Sequence, residues 1–212
     1  MKITLQNVLP NEIEKRSFEM ITEELGSKPM DPINAPVIKR VIHTSADFDY
    51  AENLCFSDAA VKKGIEALQK GTCIVTDTQM AKAGINKSAL SSLGGEVFCF
   101  MSDDDVAKEA KQNGTTRAVA CINKAAEMKK PLIFAIGNAP TALVRLYELI
   151  ADGLIKPELI IGVPVGFVNV VESKELIMQT DVPYIVARGR KGGSNVAAAI
   201  CNALLYYNGR PE

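Results

Sequence analysis

Short apolar runs alternate with amphipathic stretches along most of the chain, and this alternation predicts strands and helices in turn. Apolar runs bounded by glycine, proline or small polar residues are typical of buried strands. Five strands are predicted, at residues 72–76 (TCIVT), 96–101 (EVFCFM), 131–136, 158–163 and 183–187. Helices are predicted at residues 57–70, from Ser102 onward, and at 115–129, 138–151 and 193–206. Strands alternating with helices favour a three-layer α/β/α domain around a mostly parallel five-stranded sheet.

The first 57 residues lack this alternation and predict two helices joined by a proline-rich loop. Asn11 can cap the first helix, with Glu14 three positions later as in a capping box, and the helix extends to about Gly26. Pro36 is expected to begin the second helix, because proline suits the first position of a helix. This helix continues to about Asp47. No linker, repeat or low-complexity segment interrupts the chain. We therefore expect one domain over residues 1–212 with an N-terminal helical extension.

Composition narrows the classes of protein that this chain can belong to. Apolar residues make up 47% and charged residues 23% of the 212 residues, which is typical of a globular domain. A net charge of −1 argues against general nucleic-acid binding and against a polybasic membrane anchor. No apolar run approaches the about 18–20 residues needed to cross a bilayer, and the start lacks the apolar stretch of a signal peptide. We expect a cytoplasmic protein without a membrane partner.

The cysteine and histidine content argues against a metal site made by the protein. Five cysteines are scattered along the chain without a C-x-x-C pair, and there is one histidine. An odd number of separated cysteines suits reduced, buried thiols better than disulfides or a zinc site. We therefore expect no metal ligands among the residues of this chain.

Loops after the predicted strands hold candidate ligand-binding groups, because open parallel sheets bind ligands beyond the carboxyl ends of their strands. In the last of these loops, Arg188, Arg190 and Lys191 surround glycines, and Ser194 lies in the first turn of the next helix. Backbone N–H groups at a helix start, together with cations, favour a carboxylate or phosphate ligand. The loop matches neither the P-loop nor the G-x-G-x-x-G pattern, so a nucleotide is not indicated. A solvated basic loop is the alternative.

The second helix carries the candidate acid–base group. Its apolar positions share one face, whereas Arg40, His43 and Asp47 lie on the opposite face at helical spacing. Asp47 can favour the imidazolium and orient its ring, which suits a residue that gives and takes a proton near neutral pH. An ordinary surface histidine is the alternative. Ser17, in the first helix, either bonds back to the carbonyl four residues earlier or turns its hydroxyl into a cavity.

Five segments of the chain resemble the precorrin-8X methylmutase family. They are PVIKRVIHTSADFDYAENLCFS from Pro36, IVTDTQMAKAGI from Ile74, FAIGNAPTAL from Phe134, IIGVPVGFVNVVESKE from Ile160 and YIVARGRKGGSNVAAAICNAL from Tyr184. They occur in order over nearly the whole chain, which is far more specific than any single glycine motif.

The resemblance implies a flavodoxin-like fold and a homodimer with active sites shared between subunits. It implies an isomerase of cobalamin biosynthesis that shifts a methyl group from C-11 to C-12 of precorrin-8X or cobalt-precorrin-8. The product is hydrogenobyrinate or cobyrinate, and the shift is formally 1,5-sigmatropic. The family's proton donor and acceptor falls on His43, and its substrate-binding serine and arginine fall on Ser17 and Arg40. No cofactor is implied, and cobalt, where present, belongs to the substrate.

The implied substrate is a large apolar corrinoid tetrapyrrole fringed with carboxylates, and arginine binds carboxylates with two parallel hydrogen bonds. Expected substrate-binding residues are Ser17, Arg40, Arg117, Gly137, Asn138, Arg188, Arg190, Lys191 and Ser194. Residues that could line the macrocycle, or else pack in the core, are Met20, Met80, Met101 and Phe167. Two alternatives stay open: a flavin- or nucleotide-dependent reductase, and a protein that binds corrinoids without catalysis.

Overall fold

A computed structural model describes residues 8–207 of the chain. Within that range a six-stranded sheet has the order β1-β6-β5-β4-β2-β3. The strands are β1 (Leu54–Phe56), β2 (Cys73–Thr76), β3 (Val97–Phe98), β4 (Leu132–Ile136), β5 (Leu159–Gly162) and β6 (Tyr184–Ala187). Strands β2 to β6 are parallel, and their order is that of flavodoxin-like folds. The predicted α/β class and mostly parallel sheet are confirmed.

Helices cover both faces of this sheet. They are α1 (Ile13–Leu25), α2 (Ala35–Ser45), α3 (Tyr50–Asn53), α4 (Ala60–Gln69), α5 (Gln79–Gly84), α6 (Lys87–Ser92), α7 (Asp104–Gln112), α8 (Arg117–Glu127), α9 (Pro140–Ala151), α10 (Val170–Ile177) and α11 (Ser194–Leu205). Helices α3, α5, α6 and α10 lie in segments for which the apolar pattern predicted no helix.

Alternation along β4 shows how the two layers form, since successive strand residues point to opposite faces. Ile133 and Ala135 pack in a core with α1, α2, α4, α5, α6 and α11, whereas Phe134 and Ile136 pack against α8, α9 and α10. Both faces are buried, which is why the strands read as continuous apolar runs. The N-terminal helices α1 and α2 belong to the first layer and lie on its outer side, with α2 against α11.

The number of strands was predicted wrongly, because the sheet has a sixth strand at its edge. Strand β1 runs antiparallel to β6, with Leu54 opposite Ala187 and Phe56 opposite Ile185. It has three residues and follows directly on α3, so it is too short for a recognisable period. Strand β3 is also shorter than predicted, with two paired residues.

The start of α1 and the end of α2 also differ from prediction. A 3-10 turn at Pro10–Glu12 precedes α1, and no side chain caps the helix, so the predicted capping box is wrong. Glu14 forms an ion pair with Arg40 of α2 instead. Helix α2 ends at Ser45, because Ala46 adopts a left-handed conformation with φ of 52°.

Candidate functional site

The candidate site lies on the outer face of α2. Val37 and Val41 are fully buried and face the core, whereas Arg40 and His43 lie one turn apart on the other side of the helix. This division follows from the helical period, and the structure bears out the predicted placement of Arg40 and His43 on one face.

His43 is exposed and stands between two cavities. The first, of about 270 Å³, lies between α2 and α11 and is also lined by Arg40, Asn195 and Asn202. The second, of about 290 Å³, lies between α1 and α2 and is also lined by Ser17. The imidazole stacks on the ring of Phe18, with 5.2 Å between ring centroids and 12° between the planes. A molecule spanning both cavities would cross the imidazole.

Arg40 is held by aromatic rings and a carboxylate. Its guanidinium carbon lies 4.7 Å from the ring centroid of Phe18 and 5.8 Å from that of Tyr206. It also forms an ion pair with Glu14 of α1. These contacts keep a guanidinium at the border of the first cavity and of a third one, of about 460 Å³.

Ser17 shows both of the expected features. Its hydroxyl donates a 2.8 Å hydrogen bond to the carbonyl of Ile13, four residues earlier. The same residue lines the cavity that His43 borders. Since the oxygen keeps lone pairs for a further bond, the local hydrogen bond leaves it able to accept one from a ligand.

The expected pairing of Asp47 with His43 is wrong. Helix α2 ends before Asp47, so this residue does not continue the face that carries His43. Its carboxylate accepts a 2.6 Å hydrogen bond from Nζ of Lys191, and this bond lowers the pKa of Asp47. Lys191 also bonds Asp49 at 2.6 Å. The two carboxylates therefore tie the loop after β6 to the segment after α2.

The other cations of the loop after β6 are also in contact with side chains. Arg188 donates from Nε to Glu175 at 3.1 Å, and the guanidinium carbon of Arg190 lies 5.5 Å from the ring centroid of Phe167. Phe167 is 80% exposed. We expected three cations around one anion site, but two of them, Arg188 and Lys191, already pair with carboxylates of the chain.

The sequence analysis missed Lys174, whose side chain binds the backbone of the loop after β6. The residue is fully buried, and Nζ donates to the carbonyls of Gly189 at 2.7 Å and Lys191 at 2.9 Å. Burial lowers the pKa of Lys174 to about 8. A lysine on the apolar face of α10, flanked by buried Ser173 and Ile177, was the signal in the sequence.

The relation to known proteins agrees with this geometry. The sequence model of the precorrin-8X methylmutase family matches residues 12–207. The chain belongs to the precorrin-8X methylmutase family. The predicted family and reaction class, a methylmutase and hence an isomerase of cobalamin biosynthesis, are confirmed.

Several members of this family are similar over most of their length. The cobalt-precorrin-8 methylmutase of Priestia megaterium is 48% identical over 197 residues, covering 93% of this chain and 88% of that protein. The precorrin-8X methylmutase of Pseudomonas aeruginosa is 39% identical over 196 residues, covering 91% of this chain and 93% of that protein. The crystal structure of precorrin-8X methylmutase from Thermus thermophilus has a TM-score of 0.84 and 39% identity, covering 92% of this chain and 96% of that one.

In this methylmutase fold the crevice where the strand order reverses, between β2 and β4, is occupied by the chain itself. Asp77 is buried, and its carboxylate accepts hydrogen bonds from the backbone N–H groups of Gly137, Asn138 and Ala139, at 2.9, 2.8 and 2.6 Å. Burial raises the pKa of Asp77, while these donors act in the opposite direction. The hydroxyl of Ser194 bonds that of Thr78 at 2.7 Å. Flavodoxin-like folds bind ligands at this crevice, but here an internal carboxylate takes its N–H donors.

The structure does not bring Arg117 to His43. Arg117 is the first residue of α8, in the layer on the other side of the sheet from α2. Met20 lines the cavity between α1 and α2, and Met80 is 70% exposed on α5. Met101 packs against the small core of α7 and α8. Only part of the expected set therefore lies around His43 within one chain.

Two further findings concern residues 8–207. No group of histidine, cysteine and carboxylate side chains in this range is arranged to hold a metal ion. None of its helices combines the length and apolar character needed to span a bilayer.

Proposed function

We propose that the protein moves a methyl group from C-11 to C-12 of precorrin-8X or cobalt-precorrin-8, with His43 as proton donor and acceptor. The observation that carries the proposal is the position of the chain's one histidine, exposed between two cavities beside Arg40. Membership in the methylmutase family supports the reaction. A non-catalytic corrinoid-binding protein would not need a proton-exchanging group at this position.

The imidazolium of His43 would donate its proton to the ring C region of the macrocycle. The cation formed draws the methyl group across with its bonding electrons, so that the C-11 bond breaks as the C-12 bond forms. Return of the proton to the imidazole restores neutrality, and the reaction is an isomerisation without net gain or loss of atoms. Positioned general acid catalysis contributes about 10²–10⁴-fold, and orientation of the macrocycle supplies the rest.

Arg40 and Ser17 are the proposed partners of the substrate at this site. Since Arg40 already pairs with Glu14, a substrate carboxylate would share or replace that contact. Arg190 is a further candidate, because its guanidinium is exposed over Phe167 rather than paired with a carboxylate of residues 8–207. Gly137, Asn138 and Ser194 would shape the wall behind the loop after β6, since the backbone N–H groups of Gly137 and Asn138 and the hydroxyl of Ser194 bond within the chain.

The cavities beside His43 are open to solvent and smaller than a corrin. A second subunit in a homodimer would close the open side of this site. Arg117 and Arg188 would contact the substrate that is bound at the site of a neighbouring subunit. We also propose a cytoplasmic location, in keeping with five free cysteines. The metal, where present, would enter with the substrate, and the similarity to cobalt-precorrin-8 methylmutases favours the cobalt form.

Replacing His43 tests the function. His43→Gln keeps a polar side chain of similar size that cannot exchange a proton near neutral pH. We expect turnover to fall at least about 10²-fold, while circular dichroism and product binding stay near wild type. The assay follows the visible spectrum with metal-free and with cobalt-containing substrate. Lys111→Ala, an exposed position on α7, is the control and should keep full activity. Near wild-type turnover in His43→Gln would refute the proposed role.

A further inference from the structure

Phe18 contacts both functional side chains of α2 from the neighbouring helix α1. Its ring stacks on the imidazole of His43 at 5.2 Å, nearly parallel, and the guanidinium carbon of Arg40 lies 4.7 Å from the same ring centroid. Phe18 is half-buried, whereas Ile21 and Leu25 bury the apolar side of α1. The ring therefore lies at the site rather than in the core.

Within residues 8–207 the imidazole stacks on one aromatic ring, that of Phe18. Its nitrogens make no hydrogen bond to the described residues, and no ion pair joins it to a carboxylate there. The side chain is exposed on a helix surface, where it would otherwise exchange among rotamers. Stacking on Phe18 fixes the ring plane and leaves both nitrogens available to a ligand.

The aromatic ring also acts on the charge at this site. Arg40 and a protonated His43 lie one turn apart on α2, and like charges at that spacing disfavour each other. The face of a phenyl ring attracts both cations. Other charged groups nearby are Glu14, paired with Arg40, and Glu24 on α1, which lines the same cavity as His43. The α11 residues lining the cavity between α2 and α11 are uncharged.

We propose that Phe18 is a positioning residue, which holds the His43 imidazole beside Arg40 in the plane that faces the macrocycle. The proposal rests on the function proposed for His43. It assigns Phe18 no contact with the reacting atoms. The role is distinct from packing, since an aliphatic residue of similar size would fill the same space without presenting a π face.

The test compares Phe18→Leu with Phe18→Tyr, which keeps the ring. We expect kcat to fall about ten- to 10²-fold in Phe18→Leu with KM changed less than about threefold, because misorientation affects the transition state more than binding. Phe18→Tyr should restore most of kcat. Leu25→Val loosens the packing of α1 without touching the ring, so it should lower stability and leave kcat unchanged. Phe18→Ile replaces Phe18→Leu if the latter does not fold.

A second readout is independent of activity. The chain has one histidine, so NMR of its ring C–H groups reports on His43 alone. In Phe18→Leu the ring-current shift of that signal, which the stacked phenyl ring causes, should disappear. Wild-type kcat in Phe18→Leu, or an unchanged histidine signal, would overturn the proposal. If His43→Gln proves active but the NMR changes appear, the proposed function fails while the stacking contact stands.

Discussion

Lys174 has no exposed surface, yet its ammonium group meets two backbone carbonyls of the loop after β6. An unpaired buried charge would be very costly, and these two acceptors offset part of that cost. The loop carries Arg190 and Lys191. Lys174 lies outside both cavities beside His43, yet it holds the backbone that presents these two cations. Burial still disfavours the charged form, and the pKa is lowered to about 8.

Replacing Lys174 with methionine should reveal the lowered pKa of Lys174 through the pH dependence of the free energy of unfolding. The folded-state pKa of about 8 lies below the unfolded value of about 10.4, so between these pH values the unfolded chain binds more protons. Wild-type stability relative to Lys174→Met should therefore rise with pH over this window, by at most ~3 kcal/mol. Urea unfolding of both proteins at pH 7.5 and pH 10 measures the difference. The same difference at both pH values would contradict the shifted pKa.

At the scale of elements, the strand-to-helix turns at the carboxyl edge hold one another in place. Asp77 after β2 binds the backbone after β4, and Thr78 bonds Ser194 at the start of α11. Lys191 binds Asp47 and Asp49, which links the same edge to the end of α2. These contacts place the start of α11, including Asn195, against the cavity that His43 borders.

Gly137→Ala should disturb the contact between the turn after β4 and the start of α11. Its effect on stability should exceed that of Gly162→Ala, at the end of the neighbouring strand β5. A Cβ at Gly137 would lie 2.7 Å from Cα and 2.8 Å from N of Ser194, so backbone must move. At Gly162, the matched control, a Cβ would lie 3.3 Å from a methyl of Val186, which can shift as a side chain. We expect Gly137→Ala to lower the free energy of unfolding by about 1–3 kcal/mol and Gly162→Ala by clearly less. Thermal unfolding that ranks them in the opposite order would show that α11 is not held this way.

At the scale of the whole molecule, the site within one chain is incomplete for a ligand as broad as a corrin. The cavities beside His43 measure about 270 and 290 Å³ and open to solvent on the outer face of the helical layer. Apolar side chains stay exposed near the carboxyl edge, with Phe167 at 80% and Val168 at 79%. Twofold homodimers are the commonest soluble oligomers, and a second copy is the simplest cover for both features.

We therefore expect a dimer of about twice the 22.9 kDa chain mass in light scattering. A mixing experiment tests whether the site is shared. If Arg190 of one subunit serves the site with His43 of the other, mixing inactive His43→Ala and Arg190→Ala proteins should restore about a quarter of wild-type activity through mixed dimers. A monomer that turns over substrate, or a dimer without complementation by this pair, would contradict the shared arrangement.

The local pattern of the sequence was enough to predict most strands, the parallel sheet and the two faces of α2. These features depend on periods of two and 3.6 residues and on strands buried on both sides, which leave a direct trace in the order of apolar residues. The segments that resemble the methylmutase family were likewise enough to place the chain in it. The same local reasoning failed for β1, whose three residues are assigned by pairing with β6 rather than by any period.

The contacts around His43 depended on the tertiary structure. Asp47 is four residues from His43, as a helical pair requires, but a left-handed Ala46 ends the helix and Lys191 takes the carboxylate. Phe18 is 25 residues earlier in the chain, and it reaches the imidazole because of how α1 packs against α2. Such contacts join residues far apart in the sequence, and they are set by helix packing and backbone turns that no local period records.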